Sequence, residues 1–203
     1  MSPRKKELQD AALDYLLEHG AAKLSLRPVA AELGTSPRIL MFHFKSKEGL
    51  LQDVLGELHA RLQASFATMA SAHSGPDGDA MLKRFWLWAA SKKNFRYFRL
   101  LYEVQIIAIQ NPAEYARYLK KISMDWQAIT LKSLSEKMRS EPMATLCLAV
   151  FDGLFLELMC TADRPRLTRA LDHFISMART AMDIHGAKSP RVRASKGSLN
   201  RGF

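Results

Sequence analysis

From Ala31 to Leu51 the chain reads AELGTSPRILMFHFKSKEGLL. Gly34 and Ser36-Pro37 interrupt it once, and Phe44-Lys45-Ser46 interrupts it again. The middle piece, Pro37–His43, is barely two turns long. A helix that short is not stable in water by itself. It persists only if its neighbours hold it, so this stretch demands a compact cluster of short helices with the middle one propped between the others.

The same punctuation recurs along the chain and predicts an all-α protein. Ser2-Pro3 is a cap followed by proline at the first helical position, and Gly20 ends that helix. Ser25 is expected to cap a helix over Leu26–Leu33, Ser36-Pro37 one over Pro37–His43, and Ser46 one from Lys47 to about Met69. The stretch Ser71–Asp79, SAHSGPDGD, is the clearest linker. Helices are then expected over Ala80–Ser91 and Lys93–Gln110. Asn111-Pro112, with Glu114 as the acid of a capping box, starts another that runs to about Met138. Met143–Cys160 is apolar nearly all round and predicts burial on most sides. Arg164-Pro165 opens a last helix to about Gly186, and the basic tail 187–203 reads as disordered. No strand-like alternation and no internal repeat is found. The expected organisation is a helical head over 1–48, a helical body over 49–186 and that tail.

The balance of 30 Lys plus Arg against 20 Asp plus Glu gives a net charge of +10. Such a chain favours polyanions, acidic surfaces or anionic ligands, without choosing among them. Cys147 and Cys160 lie in an apolar helical run and read as buried hydrophobes in a reduced cytoplasm. The N-terminus has no apolar stretch of the signal-peptide kind, and no window reaches eighteen uncharged apolar residues, so neither export nor a membrane span is expected. The six histidines, at 19, 43, 59, 73, 173 and 185, form no metal-ligand spacing, and no nucleophile elbow, phosphate loop or paired-acid arrangement occurs. No metal, no cofactor and no enzymatic chemistry is expected.

A helix, a glycine turn and a second short helix is the helix-turn-helix pattern, whose second helix enters the DNA major groove with its N-terminal residues towards the bases. Arg38 at that helix start has the fork that pairs with guanine. Thr35 and Ser36 can bond phosphate or bases, and Lys47 lies where the next helix start favours phosphate.

The wider run LSLRPVAAELGTSPRILMFHFKSKEGLL, with Ala11-Ala12 and Gly20 before it, closely resembles the DNA-binding domain of the tetracycline-repressor (TetR) family. The resemblance is strong over roughly 4–52 and is one of helical architecture beyond. It implies a regulator with an N-terminal three-helix DNA-binding domain and a helical body that binds a small molecule and dimerises. The candidate DNA-contacting residues are Ser25, Arg27, Thr35, Ser36, Pro37, Arg38, Met41, Phe42, His43 and Lys47. The family usually has a tyrosine, often beside a second aromatic, just before its His-Phe pair. Here Met41 and Phe42 stand there and donate no hydrogen bond. Residues 1–48 carry eight Lys or Arg against six Asp or Glu, so the head is only mildly basic.

In LKRFWLWAASKKNFRYFR, residues 83, 84, 92, 93, 96 and 99 are basic and alternate with aromatics. They read as solvated faces over an aromatic inner wall. Trp86, Trp88, Phe98, Tyr102, Trp126 and Phe155 are the expected ligand-binding residues, for an apolar or aromatic molecule, neutral or anionic. Asp152 and Glu157 interrupt an apolar helix and read as a dimer-seam end or a polar anchor for a ligand. The dimer seam is expected along Leu148, Phe151, Phe155 and Met159 with Leu171, Phe174, Ile175 and Met182. The helix from Lys47 to about Met69, roughly 30 Å long, is expected to be the only long link between head and body. The first reading is therefore a cytoplasmic, ligand-responsive repressor that binds a near-palindromic operator as a homodimer. The alternatives are the same fold controlled by a protein partner, and a small helical enzyme or lipid carrier.

Overall fold

The computed structural model of the chain describes residues 2–22, 24–71 and 78–187; of the linker expected over Ser71–Asp79, residues 72–77 lie outside them, as does the basic tail beyond 187, while Ser71 ends α4 and Gly78 and Asp79 begin α5. The described residues form nine α-helices and no strand. These are α1 (Pro3–His19), α2 (Leu26–Glu32), α3 (Pro37–Phe44), α4 (Lys47–Ser71), α5 (Gly78–Ala89), α6 (Lys92–Gln110), α7 (Pro112–Ser133), α8 (Glu141–Thr161) and α9 (Arg164–Ala187).

Local signals set most of the starts. The hydroxyls of Ser2, Ser36, Ser91 and Ser140 each accept from the backbone N–H three residues on. Two expected caps differ. Ser25 precedes α2 without a side-chain cap bond, the backbone carbonyl alone receiving Val29. Asn111 also ends α6, and its amide donates to the Ile107 carbonyl rather than closing α7. α7 stops at Ser133, short of Met138. Leu134 takes an extended conformation, and a turn delivers both Leu134 and Met138 into the core, while Arg139 donates to the Leu134 carbonyl. Their spacing of four imitates a continuing helix, although the chain leaves the helix between them.

The small helices pack as the opening stretch requires. Leu40 and Phe44 of α3, Val29 and Ala30 of α2 and Leu8, Ala12, Leu13 and Leu16 of α1 join Leu50, Val54 and Leu55 of α4 in one core. Each leucine buried this way contributes about 1.5–3 kcal/mol. The α3–α4 turn is close enough that only glycine fits at 49, where a Cβ would lie 2.1 Å from the Phe44 carbonyl oxygen. Along its outer edge α1 is clamped to α4 by ion pairs of Lys5 with Asp53, Lys6 with Glu57, and Arg61 with Asp10. Lys6 is raised above the usual lysine pKa through its bonds to Asp10 and Glu57. α4 is therefore joined to the head along much of its length, then continues into the body.

The body layers α5, α6 and α7 against α8 and α9 around aromatic rings. α8 is long and apolar enough to cross a membrane by length and composition alone, although Asp152 and Glu157 interrupt its apolar run. Only 28% of that apolar stretch is buried in the single chain. The residues turned inwards are Ala144, Cys147, Phe151, Leu154, Phe155 and Leu158, whereas Leu146, Gly153, Leu156 and Cys160 are exposed. Of the residues expected at a dimer seam, Phe151, Phe155, Leu171 and Ile175 instead belong to the chain's own core.

Candidate DNA-facing surface and aromatic cavity

α3 stands on Leu40 and Phe44 and turns its opposite side outwards. Arg38, Ile39, Met41 and Phe42 are exposed there, Phe42 to 71%. Arg38 has no ion pair among the described residues, so its guanidinium is available to an incoming acceptor. Lys45 ends the helix in the left-handed region, at φ 71°. Its ammonium donates to the Phe42 carbonyl and lies 5.6 Å from the Phe42 ring centre. An aromatic ring with a cation over it is thereby fixed beside Arg38.

The other head residues divide. Ser25, Arg27, Pro37 and Lys47 are exposed, and Lys47 lies 3.6 Å from Glu48. Ser36 is committed to capping Ile39, which leaves its hydroxyl one lone pair for another donor. His43 is half-buried between the edges of Phe42 and Phe44. The Thr35 hydroxyl is turned inwards and has no partner there. In this conformation it does not face the outer surface, contrary to expectation.

In the body a cavity of about 280 Å³ opens between α6, α7 and α8. Four expected residues line it: Phe98, Tyr102, Trp126 and Phe155. Two do not. Trp86 is fully buried, and its indole N–H donates to the Thr168 hydroxyl at 2.7 Å. Trp88 packs among Phe66, Phe85 and Phe98 behind the wall. Phe85, one residue before Trp86, lines the cavity instead. A step of one residue turns the side chain by about 100° round the helix, and spacing alone did not choose between the two. A wider surface groove of about 990 Å³ lies between α4, α7 and the turn at 134–139, with Lys132, Glu136, Lys137 and Arg139 at its walls. It lacks the convergent rings of the smaller cavity, where Phe98 and Phe155 stack at 4.8 Å.

Asp152 is the one charged side chain lining that cavity. It sits at the solvent edge of α8, and the Tyr102 hydroxyl donates to its Oδ1 at 2.6 Å. Burial of the carboxyl group among its neighbours raises its pKa, against the lowering effect of the Tyr102 bond. Burial also pushes the Tyr102 phenol far above its usual range, with the Asp152 charge adding to it. Glu157, the other acid of α8, pairs with Arg166 at 2.7 Å instead.

α6 has a second role that the sequence reading missed. Glu103 accepts from the Ala21 backbone N–H at 2.8 Å, which ties the body to the α1–α2 loop. Gly20 makes the approach possible: it has φ 79°, and a Cβ there would lie 2.8 Å from a Glu103 carboxylate oxygen. Beside the long α4, a second and shorter link thus joins head and body.

The sequence pattern described as "Bacterial regulatory proteins, tetR family" matches residues 8–54. The HTH-type transcriptional regulator BetI of Klebsiella pneumoniae is 32% identical over 77 residues, a match that spans 38% of this chain and 38% of that regulator's length. The HTH-type nicotine-responsive transcriptional repressor HdnoR of Paenarthrobacter nicotinovorans is 24% identical over 179 residues, 85% of this chain and 92% of that protein. Among solved structures, a TetR-family transcriptional regulator from Rhodococcus sp. superposes with a TM-score of 0.65 at 23% identity, covering 85% of this chain and 98% of that one.

Proposed function

We propose that this chain, whose residues 8–54 match the pattern of the tetR family of bacterial regulatory proteins, is a cytoplasmic, ligand-responsive transcriptional repressor. In this reading it binds a near-palindromic operator as a homodimer and releases it when a small aromatic molecule enters the body. It is a DNA-binding regulator and not an enzyme. The head, residues 1–48, presents α3 to the major groove, and the body from 49 onwards receives the effector and the second copy.

One observation carries this reading. Tyr102 and Glu103 are consecutive on α6; the first lines the cavity and the second holds the α1–α2 loop of the head. A change in the cavity wall is thus one residue from a contact with the DNA-binding domain. Dimerisation is supported by α8, whose exposed Leu146, Gly153 and Leu156 lie on an apolar helix left mostly uncovered by its own chain. HdnoR is a nicotine-responsive transcriptional repressor, so the combination of effector and repression occurs in a relative that matches most of this chain.

The test begins with selection from random duplexes, followed by fluorescence anisotropy on the enriched sequence over a salt range. A preferred, two-fold-related sequence is expected, with affinity falling steeply as salt rises. Equal binding to selected and scrambled duplexes would sink the reading.

A further inference from the structure

We propose that the body cavity selects aromatic cations, with the Asp152 carboxylate as counter-ion and Tyr102 as the residue that positions it. This rests on reading the cavity as the effector site, and it reverses the neutral or anionic ligand expected from the chain's excess of Lys and Arg.

Three observations carry it. First, no lysine or arginine lines the cavity, and Arg99 and Lys121, each next in sequence to a lining residue, pair with Glu103 and Asp125. The excess of positive charge therefore does not reach the ligand. Second, Phe98, Trp126 and Phe155 supply ring walls, with Phe98 and Trp126 centroids 6.2 Å apart. The negative face of such a ring attracts a cation and offers nothing comparable to an anion. Third, Asp152 is half-served. Tyr102 donates to Oδ1 at 2.6 Å, while Oδ2 has no partner among the described residues. A carboxylate at the rim of an aromatic cavity, with one oxygen held by Tyr102 and the other unpaired, is a site for an ammonium or amidinium N–H. An anionic ligand would instead bring a like charge beside it. The raised pKa of Asp152 fits the same picture, because a bound cation offsets the desolvation that raises it. Tyr102 and Asp152 are the only titratable groups lining the cavity.

The experiment compares three aromatic probes on the full chain: proflavin as cation, N-phenyl-1-naphthylamine as neutral and 8-anilinonaphthalene-1-sulfonate as anion. Binding is followed by calorimetry and by quenching of tryptophan fluorescence. Proflavin is expected to bind best, and Asp152→Asn should weaken it about tenfold while leaving the neutral probe unchanged. Proflavin affinity should also fall on acidification in the native protein but not in Asp152→Asn, since protonation removes the counter-ion. Circular dichroism confirms that the variant is folded. If the neutral or anionic probe binds as tightly and Asp152→Asn leaves proflavin unaffected, cation selection is overturned while the effector site stands. If no probe binds, or binding is indifferent to Phe98→Ala, the effector-site reading fails and takes this inference with it.

Discussion

At the scale of single residues, the outer side of α3 is more apolar than a DNA-reading surface built on arginine alone. Ile39, Met41 and Phe42 are exposed beside Arg38. Such side chains read bases by contact with the thymine methyl group, and an arginine fork reads guanine. Arg38→Ala should therefore cost about 1–3 kcal/mol and relax preference at one base pair. Replacing thymine by deoxyuridine in the selected operator should weaken native binding and leave Phe42→Ala nearly unaffected, as measured by anisotropy. Equal deoxyuridine sensitivity in both proteins would remove Phe42 from the readout. His59 offers a second residue-scale test. It is buried on α4, with Nε2 3.1 Å from Asp125 and Nδ1 unpartnered. Burial lowers its pKa, outweighing the opposing pull of Asp125, and Lys121 adds to the lowering. The unfolded chain then takes up the proton more readily than the folded one. Stability from this site is complete above the unfolded value of about 6.5 and is lost as pH falls below it. The melting temperature should drop on acidification from about pH 7.5 to 5.5, and less steeply in His59→Gln. Arg38 and Phe42 were legible from sequence because the cap at Ser36 fixes where α3 begins. The inward turn of the Thr35 hydroxyl was not, because it depends on packing beneath the turn.

At the scale of the helices, the sequence located nearly every start and misjudged mainly rotation. A serine hydroxyl and a proline act within one turn, so α1, α3 and α8 announce themselves locally. The end of α7 does not, because Leu134 and Met138 sit at helical spacing while the chain between them turns. α8 is apolar on every side, so periodicity cannot say which side faces the core. The structure puts Phe155, 2% exposed, against Phe98 and leaves Leu156 55% exposed. Two substitutions one residue apart should then behave in opposite ways. Leu156→Glu should keep the helical circular-dichroism signal and convert the protein to a monomer by light scattering. Phe155→Glu places a charge inside an aromatic core and should lower stability by about 3–5 kcal/mol, the scale of emptying such a site. If Leu156→Glu remains dimeric at micromolar concentration, the α8 face is not the seam.

At the scale of the whole molecule, two structural connections join the cavity wall to the head, and in the proposed function both would carry the signal to DNA. α4 spans 25 residues, roughly 37 Å at 1.5 Å per residue, and is clamped to α1 by ion pairs, so its tilt carries the head with it. Two recognition helices must stay about 34 Å apart to enter successive major grooves, so a tilt of a few degrees is enough to spoil the fit. The second route is shorter. Glu103 holds Ala21 at 2.8 Å from a helix whose preceding residue is Tyr102, the partner of Asp152. An effector that draws Asp152 towards itself pulls on Tyr102, and the same helix then shifts its grip on the α1–α2 loop. Coupling between two sites is reciprocal, so an effector that loosens DNA must bind the operator complex less tightly than the free protein, typically by 1–3 kcal/mol. Glu103→Ala removes the short route and leaves α4 intact. It should bind operator and proflavin separately almost as the native protein does, because Glu103 neither lines the cavity nor lies on α3. The ratio of proflavin affinities, free protein over operator complex, should fall towards one. That ratio is measured by titrating both states by fluorescence. An unchanged ratio in Glu103→Ala would assign the whole coupling to α4, and a native ratio of one would remove proflavin as an inducer altogether.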